Sequence, residues 1–225
     1  MGHSVRSHLG IEIRSYDETI RRFIPGYEAM LEAASRELVR HGPELVLDLG
    51  AGTGALAEAV LLADDDVTVE LIDIDPEMLA QARARLAGFT ERARFSGISF
   101  LGPLPSCDGA SASLSLHHIP TLDAKRSLYR RTYEALRPGG TFVNADAAVP
   151  SEPSGREEVL RQWVEHMVSC GFGESEGYEH LERWGEEDTY FPLEDELEAV
   201  EAAGFVADCV WRHGPMAVVV GRKRA

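Results

Sequence analysis

The run Val46-Leu47-Asp48-Leu49-Gly50-Ala51-Gly52-Thr53-Gly54 constrains this chain more than any other segment. A continuous apolar stretch from Leu45 to Leu49 reads as a strand buried on both faces, and it runs at once into three glycines at alternate positions. Glycine permits the positive φ of a sharp strand-to-helix turn and lets the main chain approach a ligand closely, while the following helix N-terminus presents unpaired N–H groups. In the dinucleotide version of this turn a pyrophosphate sits on that helix end. Asp48, two residues before the first glycine, opposes a pyrophosphate but suits an ammonium group. An amino-acid-bearing cofactor is therefore favoured over NAD, although Gly50-x-Gly52-x-x-Ala55 also fits a permissive dinucleotide pattern.

This motif resembles the first motif of class I S-adenosylmethionine-dependent methyltransferases, and two further landmarks follow in order. Glu70-Leu71-Ile72-Asp73-Ile74-Asp75-Pro76 is similar to their second strand and its exit, and Leu136-Arg137-Pro138-Gly139-Gly140 is similar to the turn before their fifth strand. The resemblance covers Leu45 to Asp146 most strongly. It implies a Rossmann-like α/β fold with a seven-stranded, mostly parallel sheet, an antiparallel last strand and helices on both faces. It also implies S-adenosyl-L-methionine as cofactor. The expected contacts are Asp48, Gly50, Ala51, Gly52, Thr53 and Gly54 around the methionine moiety, Asp73 on the ribose, and Ile74, Ser99 and Leu116 near the remainder. Asp75, preceding Pro76, is expected to cap a helix instead. Relatives often carry an acid after the third strand; here Phe95-Ser96-Gly97-Ile98-Ser99-Phe100 has none, which leaves the adenine contact open, with Ser99 as the substitute.

The rest of the chain alternates short β-rich runs with helical patterns, as parallel strands joined by crossovers require. Strands are predicted near residues 45–49, 67–73, 93–97, 111–116, 141–146, 205–211 and 216–221, and helices near 54–63, 76–87, 123–136, 156–170 and 193–203. The last two strands form a hairpin around His213-Gly214-Pro215. Before the first strand, Ile20, Phe23, Ile24, Tyr27, Met30, Leu31, Ala34 and Leu38 follow helical spacing, with Pro25 read as opening the second of two helices. One domain over residues 1–225 is expected. It comprises a helical cap (1–43), a cofactor core (44–149), an insertion or lid (150–192) with one amphipathic helix, and a final helix and hairpin (193–225).

Methyl transfer from a sulfonium needs alignment, exclusion of water and, for a protonated acceptor, a base. His117 and His118, at the exit of the fourth strand, are the candidates for that base, or else cap the loop and pack beneath the cofactor. Asp146, ending the fifth strand, binds a substrate or caps a turn. Tyr16, Arg21, Tyr27, Tyr178, Trp184 and Arg212 complete the candidate substrate contacts, with Trp163 and Phe191 assigned to the core. The cap is loosely similar to that of carboxy-S-adenosylmethionine synthases, in which Arg21, Arg22 or Arg212 would hold a carboxylate; otherwise they are solvated helix charges.

The formal charge of −16 argues against a nucleic-acid partner. Cys107, Cys170 and Cys209 form no C-x-x-C pair, so no disulfide framework or metal site is expected. No apolar run is long enough to span a bilayer and no leader is read at the N-terminus, so a cytoplasmic protein acting on a small molecule is expected, with oligomeric state left open. The expected reaction is methyl transfer to an O or N atom. Carboxy-S-adenosylmethionine synthesis and cofactor binding without turnover are the alternatives.

Overall fold

A computed structural model describes residues 16–225, with side chains described from Glu18 onward. The elements are α1 (Tyr16–Phe23), α2 (Tyr27–Val39), β1 (Leu45–Leu49), α3 (Ala55–Ala63), β2 (Thr68–Ile72), α4 (Pro76–Arg85), β3 (Ala93–Ser96) and β4 (Cys107–Ser113). They continue with α5 (Leu122–Ala135), β5 (Leu136–Ala147), α6 (Pro153–Ser169), α7 (Glu174–Trp184), α8 (Leu193–Ala202), β6 (Val206–His213) and β7 (Met216–Arg222).

The strands form one seven-stranded sheet in the order β3-β2-β1-β4-β5-β7-β6. β1 pairs in parallel with β2 and β4, and β7 runs antiparallel to both β5 and β6. The chain starts at β1 in the middle, winds outward to β3, then returns to β4 on the other side. The order reverses between β1 and β4, and a crevice beyond the C-terminal ends of strands at such a switch point is where ligands bind in this architecture.

Side chains alternate across a strand, so β1 feeds both faces. Val46 joins an apolar cluster with α2, α3, α6 and α7, whereas Leu47 and Leu49 join a second cluster with α5 and α8. Both faces are covered, which is why β1 reads as a continuous apolar run. Lys125 of α5 and Glu196 of α8 are both buried and form an ion pair within the second layer, where Tyr129 also donates to Glu196.

The structure corrects the sequence reading at several points. β5, expected over 141–146, already begins at Leu136, because Leu136 pairs with Cys107 of β4 ahead of the irregularity at Gly139 (φ 80°), so the segment read as a turn lies inside the strand. Pro25 does not open α2: it lies in the turn, Gly26 takes the cap position at φ 68°, and the helix begins at Tyr27. A Cβ on Gly26 would sit 3.1 Å from the Trp211 ring, so packing as well as φ demands glycine. β4 covers 107–113, not 111–116, because the chain leaves the sheet after Ser113, where Leu114, Ser115, His117 and His118 turn to line the cavity. The insertion holds a second helix, α7, that the sequence does not announce. Its buried face is Gly177, Leu181 and Trp184, and the glycine, pressed against Val164, adds nothing to an apolar stripe.

Removing Glu196 strands a buried ammonium. Glu196→Ala is expected to destabilise the protein by about 3–5 kcal/mol, measured by urea unfolding; a change near zero would show that Lys125 finds another partner.

Candidate active site

The β1 exit is built by three glycines at positive φ: Gly50 at 69°, Gly52 at 55° and Gly54 at 79°. Gly50 and Ala51 donate backbone N–H bonds to the Ile72 carbonyl (2.8 and 3.2 Å), tying this turn to the end of β2. A Cβ on Gly50 would lie 2.7 Å from Ser115 Cβ, and Ser115 Oγ donates to the Leu49 carbonyl (2.8 Å), so the exits of β1 and β4 touch. A Cβ on Gly52 would meet nothing within 4 Å, so the main chain there lies open to a ligand.

This turn, the β2 exit, the β4 exit, α1 and the insertion enclose a cavity of about 390 Å³, at the small end of the ~300–1,000 Å³ usual for small-molecule sites. Asp48 reaches it from β1 while only 2% exposed. Its Oδ1 accepts from Ser111 Oγ (3.0 Å), whereas no protein hydrogen bond reaches Oδ2. Burial pushes this carboxyl up to about 7, opposed by the Ser111 bond and assisted by the Asp73 charge. An orphaned, buried carboxylate oxygen facing a cavity fits an ammonium group.

Asp73 links the glycine turn to the β2 exit, accepting from Gly52 N (2.7 Å) and Asp75 N (2.9 Å). Its oxygens keep further lone pairs for hydroxyl donors. Burial raises its pKa, against the backbone bonds from Asp75 and Gly52. Asp75 caps α4, accepting from Glu77 N and Met78 N. Ile74, 57% exposed, lines the cavity with Met78, Ser99 and Phe100. Ala51 and Thr53 also line it, while Gly54 caps α3 and Leu116 turns into the second core cluster. Leu116 is therefore a core residue and not part of the cavity wall.

At the β4 exit, Leu114 takes φ 50°, the one non-glycine positive φ among the described residues. The chain then makes a single 3₁₀ turn, Leu116–His118, that sends both imidazoles to the cavity. Asp146, buried at the end of β5, accepts from Leu116 N (3.1 Å) and His117 N (3.0 Å) through Oδ2, and from Ala147 N through Oδ1. Its Oδ1 also lies 2.6 Å from His117 Nδ1. Asp146 thus anchors and orients His117; it does not line the cavity.

Asp188, just beyond α7, faces the pair from the insertion: Oδ1 lies 2.9 Å from His118 Nδ1, and Oδ2 lies 3.8 Å from His117 Nε2 while accepting from Tyr190 OH (2.8 Å). Thr189 N donates to the His117 carbonyl (2.8 Å), fixing the segment in place. Burial pulls the His117 pKa down, but the Asp146 and Asp188 charges outweigh it and hold the value above the ordinary imidazole range. Asp188 was not singled out from the sequence, where it closes a strongly acidic stretch.

Among the other sequence candidates, Tyr27 and Trp184 line the cavity with Ile20, Phe23, Ile24 and Trp163, so Trp163 is both core and wall. Tyr178, 43% exposed on α7, does not line it. Arg21 pairs with Glu28, Arg22 donates to the Cys170 carbonyl, and Arg212 projects from β6 with an exposed side chain. None of these three arginines lines the cavity, because each guanidinium is directed to the surface or to another element. The Tyr16 side chain lies outside the described residues.

The model of the methyltransferase domain matches residues 47–142. An uncharacterised methyltransferase of Mycobacterium bovis is 31% identical over 147 residues, covering 64% of this chain and 67% of that protein. The chain belongs to the class I S-adenosylmethionine-dependent methyltransferases. A carboxy-S-adenosyl-L-methionine synthase of Chromohalobacter salexigens is 27% identical, covering 88% of this chain and 76% of its own. An O-methyltransferase family protein from Burkholderia thailandensis shares the fold, with a TM-score of 0.71 at 16% identity over 98% of this chain and 63% of that one. The chain spans from about a third to three quarters of the length of the curated relatives it matches. Among the described residues no helix is long and apolar enough to cross a membrane.

The family's cofactor carries an ammonium, which Asp48 fits. Between about pH 4 and pH 7 the folded chain holds a proton on Asp48 that the unfolded chain releases, so the carboxylate's cost grows with pH and levels off above 7. Asp48→Asn is expected to raise the melting temperature of the cofactor-free protein at pH 8 while weakening S-adenosylhomocysteine binding at least about tenfold, ~1.4 kcal/mol. Calorimetry on the wild type should also show weaker binding at pH 6 than at pH 8. Unchanged affinity in the variant would remove Asp48 from the cofactor site.

Proposed function

We propose that this protein transfers the methyl group of S-adenosyl-L-methionine to a hydroxyl oxygen of a small, largely apolar acceptor. The observation that carries this reading is the Asp146–His117 pair at the cavity wall. A hydroxyl must lose its proton as the new O–C bond forms, and a carboxylate-backed imidazole is suited to take it. The cofactor supplies an activated methyl on a leaving sulfonium. The protein's part is to align, to exclude water and to accept one proton.

With Nδ1–H donated to Asp146, His117 keeps its lone pair on Nε2, the atom nearer the cavity partners His118 and Asp188. Asp146 and Asp188 then stabilise the imidazolium that forms. Phe23, Tyr27, Trp163 and Trp184 wall the acceptor side, with Phe23 and Trp184 rings 5.0 Å apart at 82° and Trp163 and Tyr190 rings 5.6 Å apart. Such a wall selects flat or apolar groups. Asp48 and the ammonium, and Asp73 and the ribose, are the cofactor contacts we assign.

Carboxy-S-adenosylmethionine synthesis is disfavoured on charge. Among the described residues no lysine or arginine lines the cavity, whereas Asp48, Asp73 and Asp188 do, so the described wall offers an added carboxylate three acids and no cation. The decisive first experiment is titration of ligand-stripped protein with S-adenosylhomocysteine and, in parallel, NAD, followed by an acceptor screen of phenols and other hydroxyl compounds against amines and carboxylates. Saturable NAD binding alone, or turnover confined to amines, would overturn the reading.

Asp73→Ala is expected to weaken cofactor affinity by about 1.5–3 kcal/mol, the scale of a lost charge-assisted bond; unchanged affinity by calorimetry refutes the ribose role. His117→Ala should lower kcat by roughly 10²–10⁴ with cofactor affinity within about tenfold. Because the base must be neutral, kcat/KM should rise with pH through a pKa above the ordinary imidazole value, and Asp146→Asn should move that inflection to lower pH. An inflection that stays put in Asp146→Asn would sever the pair from the proton transfer.

A further inference from the structure

We infer that His117, His118 and Asp188 also form a binding site for a divalent transition-metal ion of the zinc and cobalt type. All three residues line the cavity, each offers one ligand atom, and these atoms all lie within 4.8 Å of one another. Bonds of about 2.0–2.1 Å place two ligands of one ion roughly 3–4 Å apart, and the measured separations are 2.9 Å (His118 Nδ1 to Asp188 Oδ1) and 3.8 Å (His117 Nε2 to Asp188 Oδ2). The three side chains come from two backbone segments that are tied together by the Thr189 N to His117 carbonyl bond, so the ligand set is held before any ion arrives.

The surroundings are those of a metal centre. A ligating histidine characteristically donates its other ring N–H to a carboxylate, and a ligating carboxylate is itself hydrogen-bonded. His117 Nδ1 meets Asp146 at 2.6 Å, and Asp188 Oδ2 accepts from Tyr190 OH at 2.8 Å. Charge agrees. Asp146 and Asp188 bring two carboxylate charges to this corner. A divalent ion cancels them, as would two protons on the imidazoles. Binding therefore displaces protons from the same lone pairs that serve the proposed base. Two imidazoles and one carboxylate suit zinc, cobalt or nickel better than magnesium or calcium, which prefer oxygen ligands. Three protein ligands leave at least one position for water or an acceptor oxygen on the cavity side.

The sequence concealed this set: the histidines are adjacent, and the carboxylate lies 70 residues beyond His118. The test uses the full chain stripped with a chelator, titrated with Co²⁺ in visible absorption and with Zn²⁺ in calorimetry in two buffers of different ionisation heat. The expected result is one equivalent bound with ligand-field bands and proton release, weakened by at least about tenfold in His118→Ala and in Asp188→Asn, on the scale of such changes at metal centres. S-adenosylhomocysteine titration of each variant checks that it is folded and reads the cofactor site independently of the metal. Absence of saturable Co²⁺ or Zn²⁺ binding to the wild type up to millimolar concentration overturns the inference. So does wild-type affinity in both folded variants, which would place the ion elsewhere, for example at His166 and Cys170, whose Nε2 and Sγ lie 3.8 Å apart.

Discussion

The chain must deliver a carboxylate from the middle of a sheet that is buried on both faces, and much of the site follows from how it does so. Asp48 sits on β1 between two apolar layers, where an isolated charge is costly. Ser111 on the neighbouring β4 satisfies one oxygen, and the other is left for whatever enters the cavity. Such an arrangement holds only if β1 ends at once, which Gly50, Gly52 and Gly54 ensure, and only if β4 leaves the sheet beside it, which the Ser115 contact with Gly50 records. Glycine turn and histidine turn are thus two sides of one close packing.

A similar economy appears at β5. Asp146 accepts two backbone N–H groups of the histidine turn and lies against the His117 ring, so one buried carboxylate both shapes the backbone and holds the imidazole in place. The strain at Leu114 belongs to the same construction: the chain reverses there within a few residues, and its N–H still reaches the Ala145 carbonyl. Unfavourable backbone at this turn is compensated by the hydrogen bonds that converge on β5.

The sheet was legible in the sequence because each central strand is a short apolar run followed by turn chemistry. The cofactor loop was legible because acid and glycines are adjacent along the chain. What escaped was built from distant pieces. Asp188 carried no local signal among the glutamates around it, and α7 buries Gly177 where a periodic pattern needs an apolar side chain. Tyr178 was chosen for the polar sequence around it, yet on α7 it lies one position past the face that Gly177, Leu181 and Trp184 turn inward. Asp146 was read as a ligand or a cap with equal reason, since a strand-ending acid does not reveal which way its hydrogen bonds run.

Among the described residues, the insertion is fastened to the histidine turn through the stretch 188–190, by Asp188, the Thr189 backbone and Tyr190. The helices before it contribute wall residues, Trp163 and Trp184, but no bond to the histidines is made by their side chains among those described. The aromatic wall and the contacts to the histidine turn therefore come from separable stretches of chain. The shape of the α6–α7 hairpin can thus vary, and the cavity wall with it, while the stretch after α7 keeps its hold on the histidine turn unchanged.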